Sequence, residues 1–129
     1  MAASKVAITL SDVSAEIKMW QSRGLAAGWM IEVSDDPDPD DAAAWTRWAS
    51  GYRWGKVFVN LKDSAFAHPY LWRHVIIHEL CHFVTAPLVD HLEANLNKDG
   101  GLYAETRRHM ETVVDSFANI IQQNVQTEE

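Results

Sequence analysis

Two histidines and a glutamate lie close together near the middle of the chain, in the segment His78-Glu79-Leu80-Cys81-His82. If this segment is helical, His78 and His82 project from one face, one turn apart, and both imidazoles can bind the same metal ion. Glu79 lies about 100° round the helix from His78, so it is not a ligand beside the histidines but can take a proton from a water molecule at the metal. The spacing predicts a zinc site with Glu79 as the general base.

A catalytic zinc ion takes three protein ligands and keeps one position open, so a third ligand must come from elsewhere. His74 lies eight residues before His82, which is about 12 Å along a helix axis. Two ligand atoms on one zinc ion lie within roughly 3.5 Å of each other, so distance excludes His74. Cys81 points away from the histidine pair and is expected to be a packing residue. The remaining candidates are in the last predicted helix: Glu105, His109 and Glu111.

The helical period ranks these three candidates. Glu111 shares a face with Val114 and Ala118 at steps of three and four residues. A carboxylate at the head of a mostly apolar stripe is costly unless a cation pairs with it. Glu105 and His109 fall on a more polar side of the helix. We therefore favour Glu111 as the third ligand, with Glu105 and then His109 as the alternatives.

Two helices must carry these candidate ligands. The active-site helix is predicted over 69–86, because Pro69 favours the first helical position and Pro87 favours a stop. The helix with the third ligand is predicted over 103–123. A second apolar row on this last helix predicts that it is deeply packed, and this row consists of Val113, Phe117 and Ile120.

The chain before these two helices is expected to form a further helix and a small sheet. Apolar residues at helical spacing predict a first helix that is capped by Ser11 or Asp12. Residues that favour β-structure predict strands over 28–34 and 56–61, with a strand or short hairpin over 42–54 between them. Together with the two later helices, these elements predict an α+β fold.

Composition limits the class of protein. The chain has 129 residues, of which 47% are hydrophobic and 22% charged, so we expect one globular domain over 1–129. The net charge of −7 disfavours nucleic acid as a partner, because nucleic-acid binding needs a basic surface. No stretch approaches the roughly 18 apolar residues of a membrane span, and no signal peptide is evident. With Cys81 as its single cysteine, the chain is expected to be cytoplasmic with no membrane partner.

Two motifs resemble those of known zinc peptidases. The segment from His78 to His82, followed by a helix that bears a glutamate, resembles the gluzincin branch of zinc metallopeptidases with the HExxH motif. The run that begins Glu111-Thr-Val-Val-Asp115 is similar to the Glu-x-x-Ala-Asn-x-Phe-Ala signature of ImmA/IrrE-type peptidases. Val114 and Asp115 depart from the Ala-Asn pair of that signature. This resemblance implies that Glu111 is the third zinc ligand.

The order of the predicted elements also resembles that of the single-domain minigluzincins. The resemblance implies a minimal zincin fold with an N-terminal helix, a small three-stranded sheet, the HExxH active-site helix and a C-terminal glutamate helix. Many small proteins of this kind come from phages and mobile elements, so the resemblance also points to such an origin.

The function implied by the resemblance is zinc-dependent hydrolysis of peptide bonds by a small metalloendopeptidase. Its substrate would be a peptide or protein, bound as an added strand along an edge strand at 56–60. His109 and Tyr103 are candidates for stabilising the oxyanion. The alternative is a zincin-fold metal-binding protein that acts as a regulatory or partner-binding module without protease activity. Glu79 favours the enzyme, because metal binding alone does not require it.

Overall fold

The computed structural model describes residues 7–36, 42–97 and 99–128, with side chains described as far as residue 123. Within these ranges the chain forms three α-helices and a three-stranded mixed sheet, so the predicted α+β class is confirmed. The elements are α1 (Leu10–Ser22), β1 (Met30–Asp35), β2 (Ala44–Ala49), β3 (Trp54–Val59), α2 (Leu71–Asn95) and α3 (Gly101–Glu128), with short 3₁₀ turns at Ser50–Tyr52 and Ser64–Ala67.

The sheet has the order β1-β3-β2, with β1 parallel and β2 antiparallel to β3. The predicted edge strand at 56–60 therefore lies mostly in the central strand, and the prediction of a free edge there is wrong. The apolar run Val57, Phe58 and Val59 is buried, which is typical of a strand covered on both faces. The free edge beside α2 belongs to β2 instead.

The first helix begins earlier than predicted. Thr9 is the residue that caps α1, and its hydroxyl accepts a hydrogen bond from the Asp12 amide at 3.2 Å. The Asp12 carboxylate accepts one from the Thr9 amide at 2.9 Å, which completes a capping box. Ser11 and Asp12, the predicted caps, lie in the first turn. The apolar face of α1 carries the buried residues Val13, Ile17 and Trp20.

The central helix α2 continues through Pro87 to Asn95, so the predicted stop at position 86 is wrong. Proline lacks an amide hydrogen and therefore leaves the Phe83 carbonyl without its helical partner, a defect that costs about 3 kcal/mol in a helix interior. Tertiary contacts offset this cost. Val89 is buried beyond the proline, and Asp90 accepts hydrogen bonds from the β2 end of the sheet.

The last helix, α3, packs against α2 along a narrow stripe that includes the buried residues Val114 and Ala118. The second apolar row is exposed, so the prediction that it is deeply packed is wrong. This row is Val113, Phe117 and Ile120. The physical reason is that α2 is the main neighbour of α3 within the described residues, and one neighbouring helix covers only one stripe.

None of the helices within the described residues is both long enough and apolar enough to cross a membrane.

The contact between β3 and α2 at Gly55 gives a test of this packing. A Cβ atom at Gly55 would lie 1.9 Å from Cε1 of the buried Phe83 ring, so Gly55→Ala must displace the ring or α2. We expect this variant to lower the free energy of unfolding by about 1–3 kcal/mol, the usual range for overpacking, in urea titrations. Gly51→Ala is the control, because a Cβ atom there would meet no described heavy atom within 4 Å. Equal stability of the two variants would contradict the described contact.

Candidate metal centre

His78 and His82 lie one turn apart on α2, as the sequence predicts, with ring centroids 5.0 Å apart. Both are partly buried. Together with Glu79 they form a cluster in which one ligand atom from each residue lies within 4.8 Å of the others. Two imidazole nitrogens and the Glu79 carboxylate oxygen at such distances could hold a metal ion, so the geometry does not exclude Glu79 as a ligand, although the helical spacing predicted that it would not be one.

The cluster lies in a cavity of about 320 Å³ between α2, β2 and α3. This volume is near the lower end of the range found for small-molecule sites, about 300–1,000 Å³. β2 forms one wall, and α3 forms the opposite one. The residues around the cavity are Ala44, Trp45, Thr46, Trp48, His78, Glu79, His82, Arg107 and Glu111. His74 is not among them, in agreement with its exclusion as a ligand.

Glu79 is a buried carboxyl group on α2, with 6% of its surface exposed. Burial, together with the negative charge of Glu111, raises the pKa of Glu79 to about 8. The Thr46 side chain forms a hydrogen bond with Glu79 that acts in the opposite direction. A cation in the cavity would favour the ionised form, because opposite charge lowers the pKa of a carboxyl group.

Glu111 projects from α3 towards both histidines. Its Oε2 atom lies 3.7 Å from Nε2 of His78, and its Oε1 atom lies 3.6 Å from Nε2 of His82. The alternative ligands Glu105 and His109 pair with each other at 3.7 Å and line a separate surface depression. The structure thus brings Glu111, and neither alternative, to the histidine pair.

The surroundings of His82 favour its neutral ring. Burial lowers the pKa of His82, and the positive charges of His78 and Arg107 act in the same direction. The negative charges of Glu111 and Asp115 oppose this effect. A lowered pKa favours neutral imidazole, which is the ligand form of histidine.

Asp115 is a site residue that the sequence interpretation did not assign. Its Oδ1 atom lies 2.9 Å from Nδ1 of His78, so the carboxylate can accept a hydrogen bond from that ring nitrogen. This bond favours the tautomer whose Nε2 atom is free to bind a metal, and it orients the ring. The signal in the sequence was spacing, because Asp115 follows Glu111 by four residues and lies on the same helical face.

Trp48 and Asp90 hold the β2 wall of the cavity in place. The Trp48 ring lies nearly parallel to the His82 ring, with centroids 6.3 Å apart. Its Nε1 atom donates a hydrogen bond to Asp90 at 2.9 Å, and the Ser50 hydroxyl donates to the same carboxylate. Asp90 reaches these partners because α2 continues past Pro87.

The two predicted oxyanion-stabilising residues do not line the cavity. The Tyr103 hydroxyl donates a hydrogen bond to Glu93 at 3.1 Å, and His109 is exposed next to Glu105. Arg107, which the sequence interpretation did not consider, lines the cavity instead. It lies one turn before Glu111 on α3.

Cys81 is buried beside Leu80 in the hydrophobic core and is a free thiol, as expected for a packing residue. Burial raises the pKa of its thiol to about 11, so the thiolate that would bind a metal is disfavoured.

Comparison with protein-family models, with curated proteins and with solved structures finds no significant match. The interpretation of the site therefore depends on its own residues and geometry.

The raised pKa of Glu79 predicts how the stability of the metal-free protein depends on pH. The carboxyl group ionises near its ordinary value of 4.5 in the unfolded chain but only at about 8 in the folded one. The folded state therefore binds the proton more tightly, and the contribution of Glu79 to stability is complete below pH 4.5 and is lost as the pH rises to about 8.

We expect Glu79→Gln to stabilise the metal-free protein at about pH 9, where wild type must bury an ionised carboxylate. The gain should be on the order of a few kcal/mol and should largely disappear at about pH 5. Urea unfolding of both proteins in the presence of a chelator measures this difference. A gain that is the same at both pH values would show that Glu79 is not a strained, buried acid.

Asp115 is expected to strengthen metal binding through His78. Asp115→Ala should weaken the affinity for Zn²⁺ by about 10–100-fold, the usual effect of removing a hydrogen-bond partner of a metal-binding histidine. Competition with a chromophoric chelator measures the affinity. Ser116→Ala is the control, because its hydroxyl donates a hydrogen bond to the Thr112 carbonyl on the same helix and Ser116 does not line the described cavity. Equal affinities in the two variants would contradict this role.

Proposed function

We propose that the protein is a zinc-dependent hydrolase of peptide bonds in which His78, His82 and Glu111 hold the metal ion. The observation that carries the proposal is the distance from Glu111 to both histidines. Ligand atoms at the corners of a tetrahedron with bonds of about 2.1 Å lie about 3.4 Å apart. Oε2 of Glu111 lies 3.7 Å from Nε2 of His78, and Oε1 lies 3.6 Å from Nε2 of His82, so the carboxylate faces both histidines with one oxygen near each ring.

The donor set supports zinc as the metal. Two imidazole nitrogens and one carboxylate oxygen are a ligand combination used by catalytic zinc sites that keep an open position. Hard cations such as Mg²⁺ and Ca²⁺ prefer sites made of oxygen ligands. Because the histidines and Glu111 line one cavity, a substrate in that cavity would lie next to the metal.

A bound zinc ion would polarise a carbonyl group and lower the pKa of a water molecule. Glu79 then serves as the general base. Its carboxylate lies beside the two histidines, and because it is not one of the three proposed ligands, it can accept a proton. The hydrogen bond with Thr46 fixes the orientation of that carboxylate. Glu79 takes the proton from water and gives it to the amine that leaves when the peptide bond breaks.

The β2 strand provides the surface for an extended substrate. It is the edge of the sheet beside the cavity, and Ala44, Trp45, Thr46 and Trp48 line that cavity. A peptide added alongside β2 would form backbone hydrogen bonds with this free edge and run past His78 and His82. The edge at β2 replaces the one that the sequence suggested at 56–60.

The resemblance to gluzincins supports the same function from the sequence. The HExxH segment from His78 to His82 is helical in α2, and Glu111 lies on the next helix, α3. The α+β layout also agrees with the one that the resemblance implies.

Four proteins test the proposal: wild type, Glu79→Gln, Glu111→Gln and Glu105→Gln. We expect wild type to bind one zinc ion and to cleave members of a library of unfolded proteins and peptides. Glu79→Gln should keep the metal and lose activity by about 10²–10⁴-fold, because it lacks the base. Glu111→Gln should lose the metal, and the matched Glu105→Gln variant should keep both metal and activity.

Metal content by mass spectrometry and cleavage by fluorescence provide the two measurements. Zinc bound by wild type without cleavage of any substrate would support the alternative, a metal-binding regulatory module. Loss of zinc in Glu105→Gln and its retention in Glu111→Gln would overturn the proposed ligand set.

A further inference from the structure

Arg107 stands out among the residues of the cavity because of its charge. It is the only lysine or arginine among the described residues that line the cavity, where Glu79 and Glu111 supply two carboxyl groups. The whole chain carries a net charge of −7. These negative charges would repel a negatively charged ligand unless a positively charged side chain nearby binds it.

The guanidinium of Arg107 is held from one side. Its Nη1 atom lies 3.3 Å from Oε1 of Glu93 on α2, and the same oxygen accepts the hydrogen bond of the Tyr103 hydroxyl. A guanidinium carries five N–H donors in a rigid fork, so this contact leaves donors available for a second partner. The Arg107 side chain is 41% exposed, which keeps it accessible to a ligand.

The position of Arg107 relates it to the metal ligands. Arg107, Glu111 and Asp115 follow one another at intervals of four residues, about 6 Å along α3. Glu111 faces both histidines, Asp115 one turn later contacts His78, and Arg107 lies one turn before Glu111. Arg107 and the two histidines line the same cavity, so a ligand there would lie near the guanidinium as well as the histidines.

We propose that Arg107 binds a carboxylate of the peptide substrate inside the cavity that also holds the two histidines and Glu111. This inference rests on the proposed function and adds a substrate class to it. The planar fork of arginine matches the two oxygens of a carboxylate. That carboxylate is either the C-terminus of the peptide or an aspartate or glutamate side chain.

A purely structural role would make Arg107 only the ion-pair partner that joins α3 to α2. Glu93→Gln is the matched variant for that role, because it removes the ion pair and leaves the guanidinium in the cavity. Partly exposed ion pairs contribute little to stability, so Arg107→Gln and Glu93→Gln should both fold. Circular dichroism and thermal unfolding check this.

The experiment measures peptide binding without turnover, by calorimetry on zinc-loaded protein that also carries Glu79→Gln. The probes are acetyl-trialanine with a free C-terminus, its C-terminal amide, and the same amide with a central aspartate. We expect Arg107→Gln to weaken the binding of at least one carboxylate peptide about tenfold or more. Binding of the neutral amide should stay unchanged, and Glu93→Gln should keep the preference for carboxylate. Arg107→Lys, which keeps the charge without the fork, should give an intermediate loss.

The two carboxylate peptides distinguish the sources of the charge. Loss for the free C-terminus indicates recognition of a chain end, and loss for the central aspartate indicates recognition of a side chain. Equal losses for all three peptides, equal effects of Arg107→Gln and Glu93→Gln, or no binding of either carboxylate peptide by protein with Arg107 intact would overturn the proposal.

Whether the protein hydrolyses peptides is tested separately from whether Arg107 binds carboxylates. A carboxylate preference that depends on Arg107, in a protein whose wild type cleaves nothing, would keep this inference and refute the hydrolase. Cleavage by wild type without any carboxylate preference would do the reverse.

Discussion

The candidate metal centre depends on the close contact between α2 and α3. Val114 and Ala118 are buried at this contact, and their small side chains let the two helices approach each other closely. Glu111 lies just before them on α3, and the approach brings its carboxylate to within 3.7 Å of His78 and 3.6 Å of His82. The helix α2 supplies the cluster of His78, Glu79 and His82, and α3 adds the carboxylate of Glu111 next to the two histidines. The two helices follow each other in the chain, and their contact brings these four side chains together.

The cluster is costly to the metal-free fold. Glu79 must be buried, and its pKa rises to about 8 as a result, while burial lowers the pKa of His82. A cation would offset the cost of burying the Glu79 carboxylate, because opposite charges attract. It would also bind the neutral imidazole that the lowered pKa of His82 favours. Ligand binding to the folded state alone stabilises that state. Metal binding by this cluster would therefore be thermodynamically linked to folding of the chain.

The parts of the structure that follow from local spacing were predictable from the sequence. Four residues separate His78 from His82, and one helical turn suffices to place both side chains on one face. The end of α2 was not predictable, because the penalty of Pro87 is local whereas the contacts of Val89 and Asp90 that offset it are not. The pairing order of the strands is equally nonlocal, which is why 56–60 was mistaken for an edge. Arg107 was missed because nothing in its immediate sequence indicates that it faces a cavity.

The continuation of α2 beyond Pro87 has a mechanical consequence. Asp90 holds Trp48 of the β2 wall, and Glu93, three residues later, holds Arg107 of the α3 wall. Both walls are thus fastened to a single turn of one helix. A displacement of that turn would therefore move the attachment points of both walls at once. In a chain whose helix ended at the proline, the two walls would have no such common support.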